Sequence, residues 1–209
     1  KSKLLPRPIS ICGINSTEGT LRVVYRVAGE GTKEFSEMKA GDTLEVMGPL
    51  GNGFTMKNEK AIIIGGGIGI PPMLELAKQL DAEKTVVLGY RTSTFLKEEF
   101  EEVCDVKIAT EDGSQGAKGT VIDAIEKYGV EGKVIYACGP MPMLKALAAY
   151  AEEHGMEAQI SLEERMACGI GACLGCICKS KTKDHHTNVN NTRICKDGPV
   201  FNAKEVVFS

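Results

Sequence analysis

The pattern of apolar and polar positions divides the chain into three stretches. The first stretch, residues 1–57, predicts short strands at 9–14, 20–27 and 43–47, separated by turns rich in glycine. Three strands are too few to close a barrel without free edges. The stretch therefore predicts antiparallel β structure that is only part of a domain.

The second stretch, residues 58–161, alternates between continuous apolar runs and amphipathic segments. The runs are short, which is typical of strands buried on both faces. Predicted strands lie at 61–64, 85–88, 106–109, 134–137 and 158–161, and predicted helices at 71–80, 96–103, 120–128 and 143–154. Thr120 is a candidate N-cap and Gly129 a candidate C-terminal stop for one of these helices. This alternation predicts a doubly wound parallel α/β domain.

The third stretch, residues 162–209, is a small module rich in cysteine. Five of the eight cysteines fall within it, and its middle, 179–191, is polar and predicts an exposed loop. Cysteines concentrated at one end of a chain do not resemble the distributed framework of a disulfide-stabilised secreted protein. The distribution instead favours a metal site in a reduced, cytoplasmic protein.

Composition and charge exclude two classes of function. The 209 residues include 25 Lys and Arg against 28 Asp and Glu, a net charge of −3, and no basic stripe that would bind nucleic acid. No apolar run approaches the roughly 18 residues that span a bilayer. The chain begins at Lys1 without a signal-peptide pattern.

The spacing of four cysteines is the strongest chemical signal. Cys168, Cys173 and Cys176 follow the pattern C-x4-C-x2-C, and Cys195 comes after a gap of 18 residues. This spacing is typical of plant-type [2Fe–2S] sites, whose two irons need four thiolates. Glycines between the ligands permit the repeated bends that such a loop requires.

Other interpretations of the cysteine cluster remain. A zinc site would more often show two C-x2-C pairs, although His185 and His186 lie in the intervening loop. A disulfide cluster is the third alternative. Cys178 is a spare cysteine that could replace Cys176 as a ligand, but the x2 spacing favours Cys176.

Two loops in the α/β stretch predict a nucleotide site. The glycine-rich loop follows a buried strand and opens an amphipathic helix, where a pyrophosphate could approach bare backbone and unpaired N–H groups. Ile70 departs from the G-x-G-x-x-G pattern, so a simple tight turn remains an alternative. The second loop also follows a buried strand and opens a helix, at the edge where such sheets bind ligands. The residues concerned are Gly65, Gly66, Gly67 and Gly69 in the first loop and Cys138, Gly139 and Pro140 in the second.

A nicotinamide and a [2Fe–2S] cluster together call for a flavin between them. The nicotinamide releases two electrons as hydride, whereas the cluster accepts one at a time, and a flavin can do both. The candidate flavin segment is 7–10, in which Arg7 could bind a pyrophosphate bidentately and Ser10 could hydrogen-bond the ring. A plain surface strand is the alternative.

Seven motifs in this order carry a family resemblance: RPIS, YRVAGEGT, GPLGNGF, GGGIGIPP, ACGPMPML, SLEERMACGIGACLGC and CKDGPVF. Over essentially its whole length the chain resembles the electron-transfer subunits of class B dihydroorotate dehydrogenases, within the ferredoxin–NADP reductase superfamily. The resemblance implies a flavin-binding β-barrel over 1–57, a nicotinamide-binding α/β domain over 58–161 and a [2Fe–2S] module over 162–209. The first barrel strands of that family would precede Leu4, so the barrel is expected to be partial, truncated at its N-terminus.

The resemblance also implies roles for particular residues. NAD(H) would lie across the two glycine-containing loops, with Glu111 and Asp112 nearby. Ser10 and Cys138 are the candidate catalytic residues. FAD would contact Arg7, Pro8, Ile9, Ser10, Val24, Tyr25, Arg26, Gly31 and Thr32, and the cluster ligands would be Cys168, Cys173, Cys176 and Cys195.

The implied activity is a relay of electrons from NADH through FAD and the cluster. The acceptor would be FMN in a separate dihydroorotate dehydrogenase catalytic subunit, with which this chain would form a hetero-oligomer, most simply a heterotetramer, in pyrimidine biosynthesis. Two alternatives are a diaphorase subunit that serves a hydrogenase or a ferredoxin-linked enzyme, and a zinc-stabilised binding module on a degenerate nucleotide-binding fold.

Overall fold

A seven-stranded sheet forms the centre of the protein, which a computed structural model describes over residues 5–183 and 188–208. Alternating strands and helices build it: β3 (Ala61–Gly66), α2 (Ile70–Gln79), β4 (Lys84–Tyr90), α3 (Lys97–Glu101), β5 (Asp105–Thr110), β6 (Ala117–Lys118), α4 (Val121–Tyr128), β7 (Val134–Cys138), α5 (Met141–Glu153) and β8 (Glu157–Ser161). The predicted order of strands and helices in this stretch is confirmed except for β6, a two-residue strand that the sequence did not predict.

The strand order is β11-β8-β7-β3-β4-β5-β6, in which β11 is Val200–Asn202 from the C-terminal stretch, and every pair is parallel except β11 with β8. Alternate residues of β3 point into two cores: Ile63 packs with α2 and α3 on one face, and Ile62 with α4 and α5 on the other. The predicted doubly wound parallel sheet is therefore confirmed. The chain reverses its direction of travel across the sheet between β3 and β7, which makes their carboxyl ends the switch point at which such folds bind ligands.

The ends of α4 follow the sequence signals closely. The Thr120 side chain accepts a hydrogen bond from the Asp123 backbone N–H at 3.4 Å, and the Asp123 carboxylate accepts one from the Thr120 backbone N–H at 2.6 Å. Gly129 ends the helix in the left-handed conformation at φ +59°. This reciprocal capping box and glycine stop confirm the predicted boundaries.

The N-terminal stretch contains less β structure than its sequence predicts. Strands β1 (Ile11–Asn15) and β2 (Thr20–Val23) form an antiparallel hairpin, and α1 (Glu30–Glu37) follows it. The predicted strand at 43–47 is wrong: the segment pairs with none of the described strands, and Val46 is 78% exposed. A strand-like sequence does not make a strand unless a neighbouring backbone supplies hydrogen bonds.

The hairpin is attached to the α/β unit through two helices. The Ile14 backbone N–H donates to the Glu75 carboxylate on α2 at 3.1 Å, and Arg22 forms a bidentate ion pair with Glu99 on α3. Cys12 is fully buried between the hairpin and α2. These contacts fix the hairpin against the two helices that cover one face of the sheet.

The C-terminal stretch folds back onto the sheet. Strands β9 (Ile177–Lys179) and β10 (Asn191–Arg193) pair antiparallel, and β11 (Val200–Asn202) then extends the central sheet beyond β8. The sequence did not predict these strands. The predicted polar loop between β9 and β10 includes His185 and His186, which lie outside the described residues.

The longest described helix, α5, has 13 residues. Within the described ranges no helix has both the length and the apolar composition needed to cross a bilayer.

Candidate functional site

The two predicted nucleotide-binding loops meet at the switch point of the sheet. Gly65 of β3 lies in register with Cys138 of β7, so the loops that follow these strands leave the sheet side by side. A Cβ at Gly69 would lie 2.5 Å from the Cys138 carbonyl carbon and 2.6 Å from the Gly139 nitrogen. The loops thus pack backbone on backbone, which only glycine permits at this contact.

A second close approach continues this surface. A Cβ at Gly66 would lie 2.6 Å from the Met143 sulfur, and a Cβ at Gly139 would lie 3.1 Å from the Gly66 Cα. Gly67 is left-handed at φ +53°, and Pro71 stands in the first turn of α2, as the sequence predicts. Gly66, Gly69 and Gly139 are buried by this packing, whereas Gly67 is exposed and would have nothing within 4 Å of a Cβ. Open backbone therefore lies at Gly67, just before the N-terminus of α2, a location suited to a pyrophosphate.

Cys138 ends β7 with its side chain 2% exposed. Burial raises the pKa of its thiol to about 12, against a smaller opposing effect of a hydrogen bond with Ser161. The thiol therefore remains protonated at neutral pH, so it is suited to packing or hydrogen bonding but not to attack as a thiolate. A catalytic role for Cys138 stays a prediction.

Glu111 and Asp112 lie in the exposed turn after β5, at the same edge of the sheet. The Asp112 carboxylate accepts hydrogen bonds from the Ser114 backbone N–H and hydroxyl, at 3.0 and 2.7 Å, and these lower its pKa. The structure places both acids near the nucleotide edge, and their contact with NAD(H) stays a prediction.

Arg7 lies against the N-terminus of α1, as a pyrophosphate site would require. A Cβ at Gly31 would lie 2.5–2.6 Å from the Arg7 guanidinium, so the guanidinium occupies the space that a side chain would take. Arg7 also donates to the Leu5 carbonyl. The structure thus brings together a cation and a helix N-terminus, which together favour an anionic group.

The Thr32 hydroxyl holds the loop before α1. Its Oγ1 accepts hydrogen bonds from the backbone N–H groups of Ala28 and Gly29, at 2.9 and 3.1 Å, and donates to the Gly29 carbonyl. Because the hydroxyl is engaged within the loop, it shapes the flavin candidate site through the backbone. Direct contact with FAD stays a prediction.

The other flavin candidates flank this site. Tyr25 packs edge to face with Phe35 of α1 at a centroid distance of 5.9 Å, which links the segment after β2 to the helix. The exposed flavin candidates are Pro8, Ser10 and Arg26. The half-buried candidates are Ile9, Val24 and Tyr25.

The cysteine loop directs backbone N–H groups at its own sulfurs. The Cys168 sulfur accepts from Ala172 and Cys173, at 3.3 and 3.4 Å, and the Cys195 sulfur accepts from Gly171 at 3.2 Å. Hydrogen bonds from the backbone of Cys173 and Ile170 lower the pKa of the Cys168 thiol to about 6. N–H groups that converge on sulfur are what a thiolate-ligated cluster needs.

The four sulfurs fall into two pairs. Cys168 interacts with Cys173, and Cys195 interacts with Cys176, whose sulfur also accepts from the Cys195 backbone N–H at 3.4 Å. Burial, followed by the neighbouring Cys176 thiol, raises the pKa of Cys195 to about 11. Two pairs of thiols fit a cluster in which each of two irons takes two protein ligands.

The structure bears on one of the two rival interpretations of the cysteine cluster. The zinc interpretation stays an alternative, because His185 and His186 lie outside residues 5–183 and 188–208. All eight cysteines are free thiols, so the disulfide cluster is not present.

The spare cysteine, Cys178, lies on β9 and pairs with Thr192 across the hairpin. Its side chain packs against the core beneath the sheet, and burial raises its pKa to about 11. Cys176, by contrast, interacts with Cys195. The structure therefore favours Cys176 over Cys178 as the ligand.

Sequence reasoning missed Asn52, which the structure places against the turn after Cys195. Its side-chain amide donates to the carbonyls of Lys196 and Asp197, at 2.8 and 3.2 Å. The motif GPLGNGF contained the residue, but a contact across 144 positions has no local signal in the sequence.

Comparisons with known proteins agree with this geometry. Residues 163–207 match the family described as the iron-sulfur cluster binding domain of dihydroorotate dehydrogenase B, and residues 63–149 match the oxidoreductase NAD-binding domain. A solved structure titled as an NADH-dependent reduced ferredoxin-NADP oxidoreductase aligns with a TM-score of 0.85 at 32% identity. It covers 97% of this chain and 74% of the other.

Two curated relatives carry the same name, dihydroorotate dehydrogenase B (NAD(+)), electron transfer subunit. The relative from Caldanaerobacter subterraneus subsp. tengcongensis is 47% identical over 98% of this chain and 81% of its own length. The relative from Fusobacterium nucleatum is 44% identical over 99% of this chain and 82% of its own. Identity at this level over nearly the whole chain places the protein in the family of dihydroorotate dehydrogenase B electron transfer subunits.

Proposed function

We propose that this chain carries electrons between NAD(H) and a partner flavoenzyme, through FAD and a [2Fe–2S] cluster, for the oxidation of dihydroorotate to orotate in pyrimidine biosynthesis. The observation that carries the proposal is the arrangement of four cysteines in two neighbouring pairs, Cys168 with Cys173 and Cys176 with Cys195. Backbone N–H groups of the same loop donate hydrogen bonds to their sulfurs. The sheet of the same chain has a switch point between β3 and β7 of the kind at which such folds bind nucleotides. The shared name of the relatives supports the choice of substrate.

The nucleotide edge would orient NAD(H) through backbone. The tight packing of Gly69 on Cys138 holds the exposed Gly67 just before the N-terminus of α2, where phosphate oxygens can approach backbone without meeting side chains. The buried, protonated Cys138 thiol would lie beneath the nicotinamide as a small neutral group. These residues would bind and orient the nucleotide, and they place no charged side chain beside the nicotinamide.

The N-terminal stretch would hold FAD, which when bound supplies the change from two-electron to one-electron transfer that nicotinamide and iron require. Arg7 and the N-terminus of α1 would bind its pyrophosphate, because the guanidinium already lies over Gly31. Ser10 is exposed and free to donate to a ring edge. The hairpin contacts with α2 and α3 would keep this site beside the nucleotide edge.

In the cysteine loop, one side of the cluster would be buried in the protein and the other side would be near the surface. Cys176 and Cys195 are 2% and 6% exposed, whereas Cys173 is exposed. Backbone N–H groups stabilise negative charge on the sulfurs and so favour the reduced cluster. The exposed side is the natural exit for electrons towards a partner.

For that partner we propose an FMN-containing dihydroorotate dehydrogenase catalytic subunit, assembled with this chain as a heterotetramer. Free thiols favour a reducing compartment, so the proposed location is the cytoplasm. The resemblance to a ferredoxin-linked oxidoreductase at 32% identity keeps a ferredoxin-linked acceptor as the second candidate.

Assay of the purified chain with each acceptor tests the proposal. With NADH present, the chain is expected to reduce a dihydroorotate dehydrogenase catalytic subunit through a stable complex, seen by co-elution, and to turn over ferredoxin far more slowly. Rapid reduction of ferredoxin without any complex with the catalytic subunit would favour the second candidate and contradict the first.

A further inference from the structure

We propose that Asn52 is a positioning residue for the cluster ligand Cys195. In this role, Asn52 couples the position of the N-terminal stretch to the position of a cluster ligand. The inference rests on the proposed function in one respect, that the four cysteines hold a [2Fe–2S] cluster.

Asn52 makes three hydrogen bonds to three successive residues of the turn after Cys195. Its side-chain amide donates to the carbonyls of Lys196 and Asp197, at 2.8 and 3.2 Å, and its backbone N–H donates to the Gly198 carbonyl at 2.6 Å. A β-bridge between Asn52 and Pro199 extends the contact by one residue. One residue from a distant part of the chain thus holds the whole turn from outside.

The neighbouring Gly51 shows how closely the two segments fit. Gly51 is left-handed at φ +74°, and a Cβ there would lie 2.7 Å from the Gly198 carbonyl oxygen and 2.8 Å from the Pro199 ring. A larger residue would push the turn away. The close fit places the Asn52 amide within reach of the turn's carbonyls.

The turn formed by residues 193–198 is also held by hydrogen bonds within itself. A displacement of its last residues is therefore expected to move its first residues too. Arg193 and Asp197 form a bidentate ion pair at 3.0 Å, and the Lys196, Asp197 and Gly198 N–H groups all point at the Arg193 carbonyl. Cys195 lies inside this closed turn. A shift of the carbonyls that Asn52 holds would therefore move Cys195 rather than be absorbed locally.

The Cys195 sulfur has its own precise neighbours. Gly171 donates to it at 3.2 Å, and the Cys195 backbone N–H donates to the Cys176 sulfur at 3.4 Å. Hydrogen bonds to ligand sulfur set the electronic properties of iron–sulfur clusters. Moving Cys195 would change both contacts. The loss of the Asn52 side chain should therefore change the EPR g-values and the midpoint potential of the cluster, and not only the rate at which iron is lost.

The test compares two Asn52 variants with a matched control in the anaerobically purified full chain. Asn52→Ala removes both side-chain donors but keeps the backbone hydrogen bond. Asn52→Asp keeps the shape and faces two carbonyls with a carboxylate. Asn58→Ala, at an exposed asparagine six positions along the chain, is the control. Readouts are the EPR g-values, the midpoint potential from a dye-mediated titration, the rate of iron loss to a chelator, and FAD content.

Both Asn52 variants are expected to shift the g-values and the midpoint potential. In Asn52→Ala, iron loss should be about tenfold faster, the order expected for losing one to two neutral hydrogen bonds. FAD content should match the unmodified protein, and Asn58→Ala should match it in every readout. Unchanged g-values and potential in both Asn52 variants would overturn the inference, as would equal loss of FAD and iron, which indicates general misfolding. Absence of iron from the unmodified protein would instead overturn the proposed function.

Discussion

Replacing Gly171 by alanine is expected to weaken the cluster site while the rest of the fold stays in place. Gly171 has a backbone φ of +82°, and its N–H donates to the Cys195 sulfur at 3.2 Å. A Cβ there would lie 2.7 Å from the Lys196 Cδ. The substitution therefore strains the peptide that carries a hydrogen bond to a cluster ligand.

Three effects contribute to the expected magnitude. A left-handed L-residue costs about 1–2 kcal/mol. Loss of a hydrogen bond to a thiolate costs about 1.5–3 kcal/mol more, if relief of the strain breaks it. The end of the exposed Lys196 side chain can turn away, but its Cβ, 3.0 Å from the added Cβ, is fixed by the backbone, so some steric strain remains. A total of about 2 kcal/mol or more corresponds to a rate of iron loss at least ~30-fold faster.

The assay measures anaerobic iron release to a chelator, with EPR of the reduced protein in parallel. Gly155→Ala is the matched control: Gly155 is also left-handed, at φ +64°, but would have no neighbour within 4 Å of a Cβ and lies before β8, outside the cysteine loop. It pays the backbone cost without touching the cluster. Iron release from Gly155→Ala is expected to equal that of the unmodified protein.

Two results would refute this reasoning. Equal iron release from Gly171→Ala and Gly155→Ala would show that the N–H contact to Cys195 contributes nothing to cluster retention. Full iron retention in Gly171→Ala with unchanged EPR would show that the loop tolerates a side chain, contrary to its observed backbone.

Three more predictions address the other sites. Gly69→Ala should raise the KM for NADH at least ~10-fold by separating the two loops, with iron and FAD content unchanged; an unaltered KM would contradict the nucleotide site. Arg7→Ala should weaken FAD binding about tenfold or more, measured by fluorescence titration of the apoprotein, and equal affinity would remove Arg7 from the site. Cys138 has a folded pKa of about 12, above that of an exposed thiol, so its contribution to stability is full at pH 7 and declines as the pH rises from about 9 towards 12. Urea unfolding of Cys138→Ala should accordingly show a smaller loss of stability over this range. Tyr90→Phe removes a second buried group whose pKa is raised to about 12 and should show the same trend; an unchanged pH dependence in Cys138→Ala would contradict the burial of the thiol.

The α/β unit was predictable because its signals are local. Buried strands such as Ala61–Gly66 consist of continuous apolar residues, and α4 carries both its cap and its glycine stop. The cysteine spacing was informative for a similar reason, since a loop that wraps a cluster has to place three sulfurs within nine residues, 168–176. In these segments local chemistry and tertiary structure demand the same residues.

The remaining structure depends on distant partners. The segment 43–47 has the composition of a strand, but a strand requires a neighbour, and composition cannot supply one. Helix α1 was missed because its flanking Gly29 and internal Gly31 are typical of turns, and the close approach of Arg7 explains the second glycine only in three dimensions. Asn52 is the clearest case, since its role appears only when its contacts 144 and 145 positions away are seen.

An EPR and visible spectrum of the purified protein, taken before and after adding NADH, tests the central assignment most directly. The expected result is a brown protein with two irons and two labile sulfides for each chain, as the spacing predicts, whose visible absorbance bleaches on reduction and which then gives the EPR signal of one unpaired electron. A colourless protein that holds a single zinc ion, or a bound cluster that NADH leaves oxidised while FAD is present, would contradict the account.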